Sequence, residues 1–415
     1  MRNLKIGLLV ALCILLVFLC GIFAYGMTGH NIYRVFRGGY NDRDYVGMHL
    51  VLEKEVPIDG IGSISVSYSM NGNDVYLYEG QGDMLVIKEY NEAELNENEL
   101  STVSVNGSKL EVKGKRRSSR RIRAGFFRFG YGGGYTEVWL PASYKGELAL
   151  ATSSGDITSE MNLVIERDLM AASTSGEITM PDVSAGNVSL ASTSGNVRIE
   201  TIETDKNGTA GDINIAATSG DIEVKQLVGE TNIASTSGYV NAEIITGNVQ
   251  IATTSGDITV QHIDGNAVFE SSSGNAKITE GSGERSVSTN SGDIMIDGAD
   301  GLWMIHSTSG EVRVKGQNDN GSIETTSGDV NLEIVELSGT LDINTGSGSV
   351  NMKLLQDSAF DFSADTTSGD INTFFDEELN FSKRGNSAQG SHGQNSQGNS
   401  IRIGTTSGNV RIMKE

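Results

Sequence analysis

The sequence predicts an all-β solenoid, a parallel β-helix with coils of about 18 residues. Thirteen of the fifteen Ser-Gly pairs belong to a repeated motif that indicates this fold, because all six successive intervals from Gly220 to Gly328 are eighteen residues long. Apolar and polar residues alternate around the copies, as they do in half-buried strands. With 52 glycines, 3 prolines and 6% aromatic residues, the composition also suits an all-β protein with many corners.

Each repeat unit is predicted to hold a strand, a Ser-Gly turn, a second strand and a return loop. Positions such as Ile251 and Ile258, five before and two after a glycine, are the predicted core. The glycine suits a corner that needs positive φ, and small residues three positions earlier, such as Thr253, would form a ladder there. The predicted turn glycines are Gly155, Gly176, Gly195, Gly220, Gly238, Gly256, Gly274, Gly292, Gly310, Gly328, Gly348, Gly369 and Gly408.

The amino-terminal residues predict a membrane anchor. Arg2 and Lys5 precede an uncharged apolar run at residues 6–24, which is long enough for a helix to cross a bilayer. The basic residues place the stub at residues 1–5 in the cytoplasm and the rest of the chain outside. We therefore predict one transmembrane signal anchor at residues 6–25. A signal peptide that is cleaved near Ala24 remains the alternative.

Charge and cysteine content exclude several classes of function. The net charge of −22 and the pI near 4.6 argue against nucleic-acid binding and against adsorption of the whole surface to anionic lipid. Cys13 and Cys20, the two cysteines, both lie in the apolar run. The exported part therefore offers no disulfide, thiol catalysis or cysteine–zinc site, which favours a bacterial surface protein.

The remaining chain divides into three predicted regions. Residues 26–49 form a juxtamembrane linker, and residues 50–150 form an irregular amino-terminal β region or cap, because the motif is absent there while strand-like pieces remain. Residues 151–415 form the repeats. Within them, the polar tract at residues 383–400 is predicted to be a disordered loop, and residues 401–412 resume the pattern as a last coil.

The repeated Thr-Ser-Gly-Asp/Asn-Ile/Val units, after an amino-terminal β region, resemble the bacterial putative-adhesin family of β-strand-repeat proteins. The resemblance covers roughly residues 50–415. It implies a right-handed β-solenoid that is often attached to a membrane, with some members linked to envelope-stress systems. It implies no catalytic motif.

The most unusual local chemistry lies at residues 113–135, where basic residues and aromatics follow one another without an acidic residue. Arginine binds phosphate in bidentate fashion, and aromatics insert at membrane interfaces or stack on sugars. The functional hypothesis is contact with a cell-wall polymer or with anionic lipid. The alternative is a solvated hairpin loop that pairs with an acidic loop at residues 89–99. The candidate binding residues are Arg116, Arg117, Arg120, Arg121, Arg123, Arg128, Phe126 and Phe127.

Metal binding and catalysis have less support. An Asp/Asn column follows the repeat glycines, for example at Asp257 and Asn275. Stacked carboxylates could collect calcium, but these residue types also favour turns, and turn chemistry is the preferred interpretation. The five histidines are scattered, and no nucleotide-binding loop or nucleophile motif is present. We predict no metal, no cofactor and no enzyme activity.

The sequence thus predicts a non-enzymatic, membrane-anchored cell-surface adhesin or envelope scaffold that binds an extracellular polymer or protein. It is placed in the bacterial cell membrane with its C-terminal domain outside. A component of an envelope-stress system is the first alternative, and a polysaccharide-modifying enzyme is the second. Two further interactions stay open. The chain could bind another envelope protein, or its solenoid could associate with a second copy.

Overall fold

The computed structural model describes residues 47–69, 72–115, 121–124, 127–130, 134–204, 210–298, 301–318, 320–354, 358–394, 396 and 398–414. These residues form β-strands and, at Asp376–Glu378, one 3-10 helix. The predicted stub, the anchor at residues 6–25 and residues 26–46 of the linker lie outside the described residues. None of the described helices is long and apolar enough to cross a membrane.

The chain divides between residues 224 and 225 into two compact units. The strands up to that division are β1 (His49–Pro57), β2 (Ser63–Tyr68), β3 (Asp74–Gly80), β4 (Met84–Asn91), β5 (Thr102–Asn106), β6 (Lys109–Lys113), β7 (Arg121–Ala124), β8 (Phe127–Gly130), β9 (Gly134–Pro141), β10 (Glu147–Thr152), β11 (Ile157–Ser159), β12 (Leu163–Val164), β13 (Asp168–Ser173), β14 (Ile178–Ser184), β15 (Asn187–Ser192), β16 (Val197–Glu203), β17 (Asp212–Ala217) and β18 (Ile222–Val228).

The strands after the division are β19 (Glu230–Ser235), β20 (Val240–Thr246), β21 (Val249–Thr253), β22 (Ile258–Asp264), β23 (Ala267–Ser271), β24 (Ala276–Ser282), β25 (Arg285–Thr289), β26 (Ile294–Asp297), β27 (Leu302–Ser307), β28 (Val312–Asn318), β29 (Asn320–Thr325), β30 (Val330–Leu337), β31 (Thr340–Thr345), β32 (Val350–Leu354), β33 (Phe360–Thr366), β34 (Ile371–Thr373), β35 (Leu379–Phe381), β36 (Ser387–His392), β37 (Ser400–Thr405) and β38 (Val410–Lys414).

In each unit the repeat coils give one strand to each of two parallel sheets. In the second unit β21 pairs with β23, with Ile251 opposite Phe269, and β20 pairs with β22, with Val240 opposite Ile258. Both pairs join residues eighteen positions apart, so one repeat is one coil. The predicted all-β solenoid with eighteen-residue coils is confirmed.

The core lies between the two sheets and is built from the predicted apolar positions. Ile251 and Phe269 are completely buried, and Ile258 is 1% exposed. Because side chains alternate along a strand, every second residue of each coil enters this core. Burying one such side chain contributes about 1.5–3 kcal/mol, so stacking the coils supplies a core that no single coil could form.

The repeat glycines are required for close approach between coils, not for positive φ. All thirteen lie outside the set of glycines with positive φ, so the predicted reason for their presence is wrong. A Cβ atom at Gly256 would lie 1.9 Å from the carbonyl oxygen of Gly238, and one at Gly195 would lie 2.0 Å from that of Gly176. Real Cβ atoms do not approach a backbone so closely. The neighbouring coil therefore leaves no room for a side chain at these glycines.

A second glycine column, which the sequence analysis missed, does have positive φ. In the second unit it recurs every eighteen residues before the strands of the other sheet. Gly247 has φ +117° and Gly265 has φ +142°, a region that L side chains rarely adopt. Gly229, Gly283 and Gly301 complete the column.

The small residues before each repeat glycine form the predicted ladder. The Thr253 hydroxyl donates a hydrogen bond to the carbonyl oxygen of Gly256 (2.6 Å) and lies 3.1 Å from the Ser271 hydroxyl. The Ser271 hydroxyl oxygen accepts one from the Gly274 N–H (2.8 Å). These hydroxyls are buried, so the ladder satisfies backbone groups that could not reach water at the corner.

The Asp/Asn column after the glycines is a second ladder between coils. Asp257 Oδ1 accepts a hydrogen bond from the Asn275 N–H (2.7 Å), and Asn275 Oδ1 accepts one from the Asp293 N–H (2.8 Å). Asp293 Oδ1 repeats the contact with the Glu311 N–H (2.8 Å). The side chains bind the backbone of the following coil, which supports turn chemistry as their role.

The amino-terminal β region joins the parallel stack of the first unit. Strand β2 pairs in parallel with both β10 and β6, and β3 pairs in parallel with both β11 and β9. Further strands are antiparallel: β5 pairs with β6, β4 with β9, and β1 with β4. Strands β3, β9 and β4 are therefore neighbours in one sheet, although a long segment separates β9 from β3 and β4 in sequence.

The last coil of the sequence is not the last coil in space. Strand β37 pairs in parallel with β31 on one side and β33 on the other, and β38 lies between β32 and β34 in the same way. The predicted position of residues 401–412 at the end of the stack is wrong. Every copy offers the same apolar positions and corner, so the motif does not fix the order in which copies stack.

Part of the tract predicted to be disordered is a strand. Residues 387–392 form β36, which pairs antiparallel with β33 and with β35. Ala388 is 1% exposed, and His392 is 9% exposed. The His392 ring stacks on Phe375 at 4.8 Å, and its Nδ1 lies 3.0 Å from Glu378 Oε2. The disordered-loop prediction is wrong for these residues because the sheet edge and the aromatic core provide partners.

Candidate functional site

Four of the eight candidate binding residues predicted from the sequence lie in the strands of a short hairpin. Strands β7 and β8 pair antiparallel, with Arg123 opposite Arg128. The backbone of Arg121 and Phe127 also belongs to this hairpin. Arg116, Arg117, Arg120 and Phe126 lie outside the described residues. Binding of an anionic polymer or lipid at this segment stays a prediction.

Glu89 does not belong to the acidic loop that was proposed as the alternative partner of the hairpin. Glu89 is in β4 and is completely buried. Its Oε1 accepts hydrogen bonds from Ser101 Oγ (2.9 Å) and Asn73 Nδ2 (3.3 Å). Of the basic residues, Lys113 pairs with Glu111 (2.8 Å), and its hydrogen bond lowers the pKa of that carboxyl. Glu89 is therefore a buried structural group, which corrects its assignment to a solvated loop.

A described cluster of aromatic side chains begins where the hairpin segment ends, on the outer side of β3, β9 and β4. In these strands Val75, Leu77 and Val138 point into the core and are completely buried. The aromatic residues that alternate with these buried positions along each strand face outward and are half-buried. We name the set formed by Tyr76, Tyr78, Tyr90, Tyr135 and Trp139 the aromatic face.

Strand pairing brings these rings into contact. Tyr78 lies opposite Trp139, and Tyr90 lies opposite Tyr135. The Tyr78 and Trp139 ring centroids are 4.8 Å apart with planes 26° apart, and those of Tyr90 and Tyr135 are 4.6 Å apart with planes 8° apart. Tyr76 contacts Tyr135 edge-on at 6.0 Å and Tyr78 at 6.5 Å. The five rings thus form one connected surface across three strands.

A carboxylate lies at the centre of the aromatic face. Glu137 is on β9 between Tyr135 and Trp139, opposite Tyr76 on one neighbouring strand and Lys88 on the other. Its Oε2 accepts a hydrogen bond from Trp139 Nε1 (3.0 Å). The Lys88 ammonium is 5.7 Å from the Trp139 ring centroid and 3.6 Å from Glu53 Oε1. Charged groups thus lie within and beside the stacked rings.

The Tyr90 hydroxyl interacts with the central carboxylate. Burial raises the pKa of the Tyr90 phenol, and the negative charge of Glu137 and a hydrogen bond to Glu137 raise it further. Like other tyrosine hydroxyls it is protonated at physiological pH, so it can both donate and accept hydrogen bonds. The aromatic face therefore combines apolar rings with hydroxyls and one central carboxylate.

Such a surface can bind a ligand that has both apolar faces and hydroxyl groups. Tyr and Trp supply large contact areas with few rotatable bonds, and their polar atoms fix orientation. Cross-strand aromatic pairs also stabilise the sheet itself.

The sequence analysis found one member of the aromatic face, Tyr135, within the aromatic run that it singled out. It missed Tyr76, Tyr78, Tyr90 and Trp139. Alternation at Tyr76 and Tyr78 was a signal that both face one way. Their contact with Trp139 could not be inferred, because it depends on the parallel pairing of β3 with β9.

Other polar groups in the described chain are dispersed. His262 Nε2 lies 3.1 Å from Asp264 Oδ2, and His306 Nδ1 lies 3.1 Å from Glu324 Oε2. An open groove of about 460 Å³ in the second unit is lined mainly by threonines, with Glu324 and Asp365 at its sides. Among the residues that the structure describes, no group of three or more His, Cys, Asp or Glu could hold a metal ion.

Comparison with known families gives one match. The sequence profile of the Toastrack DUF4097 family matches residues 63–280 and 248–413, which together span most of the chain. This match confirms the family resemblance predicted from the repeated motif. No curated protein matches the sequence.

Three solved structures resemble the chain at low similarity. A putative cell adhesion protein from Clostridium sporogenes is 11% identical, with 88% of this chain and 99% of that chain covered and a TM-score of 0.16. A putative adhesin from Parabacteroides merdae is 14% identical, with coverage of 74% and 92% and a TM-score of 0.20. A putative adhesin from Parabacteroides distasonis is 14% identical, with coverage of 87% and 96% and a TM-score of 0.20.

Proposed function

Since the chain belongs to the Toastrack DUF4097 family, we propose that it is a non-enzymatic, adhesin-type protein of the bacterial cell surface. It binds an extracellular polysaccharide through the aromatic face. The observation that supports this role is the connected, half-buried surface of four tyrosines and one tryptophan around Glu137.

Polysaccharide fits this surface better than the anionic polymers considered from the sequence. A sugar ring has an apolar C–H face that packs on aromatic rings, and hydroxyls that pair with tyrosine hydroxyls and a carboxylate. Glu53 and Glu137 flank the single described cation of the cluster, Lys88. An anionic chain would meet repulsion here, since like charges oppose binding.

The sequence supplies the remaining parts of the proposal. The apolar run at residues 6–24 anchors the chain in the membrane, and the preceding Arg2 and Lys5 direct the C-terminal part outward. The coils form a right-handed β-helix, in line with the twist of strands built from L residues. In this arrangement the aromatic face lies outside the cell.

We expect Trp139→Ala to reduce retention of the full-length chain on insoluble polysaccharide by about tenfold or more, because tryptophan truncation at a binding surface removes about 2 kcal/mol. Retention is measured by co-sedimentation with purified cell-wall glycan. Tyr239→Ala is the matched control, since Tyr239 is 42% exposed and lies outside the aromatic face. Equal retention of the wild-type and Trp139→Ala chains would contradict the proposal.

A further inference from the structure

The charges of the aromatic face restrict the glycan that it can bind. We propose that this face selects glycans with free amino groups, such as N-deacetylated hexosamine chains, over neutral and acidic chains. The inference rests on the proposed function and names the ligand class for the same surface. It follows from the carboxylates at the face, the location of the described cation Lys88, and the attraction of aromatic rings for ammonium groups.

Among the residues whose side chains the structure describes, carboxylates outnumber cations around the aromatic face. Glu137 lies at its centre, and Glu53 and Glu55 lie on β1, opposite Lys88 and Val86 of β4. Lys88 is the cation that the register places among them. The local charge therefore matches the chain as a whole, whose net charge is −22.

Lys88 does not neutralise the central carboxylate. Its ammonium lies 3.6 Å from Glu53 Oε1 and 5.7 Å from the Trp139 ring centroid. Within the described residues, Glu137 has no ion pair, and its carboxylate accepts hydrogen bonds from Trp139 Nε1 (3.0 Å, at Oε2) and from the Tyr90 phenol. One carboxylate at the centre of the rings thus remains available to a cationic group of a ligand.

The rings favour an ammonium group as well. A cation near the face of tryptophan or tyrosine is attracted by the ring quadrupole, by about 0.5–1 kcal/mol at exposed sites. Lys88 already makes this contact with Trp139. A protonated amino sugar would place its ring on the aromatics and its ammonium beside Glu137, and so satisfy both parts of the surface. An acetylated sugar keeps the first contact and loses the second.

The test compares oligosaccharides of equal length by isothermal titration of the full-length chain in detergent, at a pH where glucosamine is protonated. We expect the glucosamine oligomer to bind about tenfold more tightly than its N-acetylated counterpart, the size of one charge-assisted contact. A uronic-acid oligomer should not bind measurably. Raising the salt concentration should reduce only the preference for the amino form.

Glu137→Gln should abolish the preference by weakening binding of the glucosamine oligomer and leaving the N-acetylated oligomer unchanged. Glu243→Gln is the matched control, because it removes the same charge from an exposed position on β20, and it should leave both affinities unchanged. Persistence of the preference in Glu137→Gln would overturn the inference.

The failures of the inference and of the proposed function are distinguishable. Equal binding of the amino and N-acetylated oligomers would overturn the inference alone. Absence of binding by either would overturn the proposed function with it. A lysine oligomer of the same length, binding as tightly as the glucosamine oligomer, would also overturn the inference, since the surface would then recognise cations without regard to the sugar.

Discussion

We expect Gly195→Ala to lower the free energy of unfolding by more than about 4 kcal/mol. The new Cβ would lie 2.0 Å from the carbonyl oxygen of Gly176 and 2.3 Å from its carbonyl carbon. The neighbouring coil cannot withdraw without breaking hydrogen bonds on both sides of the corner, such as the one from the Ser194 N–H to the Thr174 carbonyl (2.9 Å). The free energy is measured by chemical denaturation.

Gly62→Ala is the matched control for this prediction. Gly62 is also in the first unit and has no positive φ, but the atom nearest to its added Cβ is 3.8 Å away, at Ser108. That distance is an ordinary van der Waals contact, so the control should change the free energy of unfolding by less than about 1 kcal/mol. Similar losses in both variants would show that close approach between coils is not the reason for the repeat glycines.

Ile403→Asp should lower the free energy of unfolding by a comparable amount. It should also destabilise the strands on both sides of β37. Ile403 is 3% exposed and lies on β37 between Ile343 of β31 and Ala364 of β33. A buried carboxylate without a partner costs several kcal/mol or forces the carboxyl to stay protonated. We expect a loss of more than about 4 kcal/mol and faster amide hydrogen exchange in both β31 and β33.

Arg402→Gln provides the control at the adjacent position, because Arg402 is exposed and its Nη1 is 3.6 Å from Asp342 Oδ1. Loss of this surface pair should change stability by less than about 1 kcal/mol. If Ile403→Asp accelerated exchange on only one side of β37, the coil would lie at an end of the stack, and the insertion between β31 and β33 would be refuted.

The repeat determined much of the fold in advance. Positions five before and two after each glycine predict the core, and Ile251 and Ile258 are buried as expected. The offset of eighteen residues between Ile251 and Phe269 follows directly from the period of the motif. Periodicity predicts such features well because each coil has the same environment as its neighbours.

Features that depend on pairing between distant segments could not be predicted. The motif copies around Gly348, Gly369 and Gly408 are interchangeable in sequence, yet Gly408 packs on Gly348, and Gly369 packs on Gly408. The aromatic face is a similar case, since Tyr78 and Trp139 meet only through the register of two strands. The local sequence pattern determines which side chains each strand buries. The order in which the strands pair determines which outward-facing side chains become neighbours.

The most direct measurement of the central claim uses Trp139 as a reporter. The chain has two tryptophans, and Trp303 is completely buried with no hydrogen-bond partner for its Nε1. In a Trp303→Phe variant, Trp139 is the single indole, on the proposed binding surface. Titration with the glucosamine oligomer is predicted to give a saturable change in indole emission, with an affinity equal to that from calorimetry. Binding by calorimetry without any change in Trp139 emission would contradict the account.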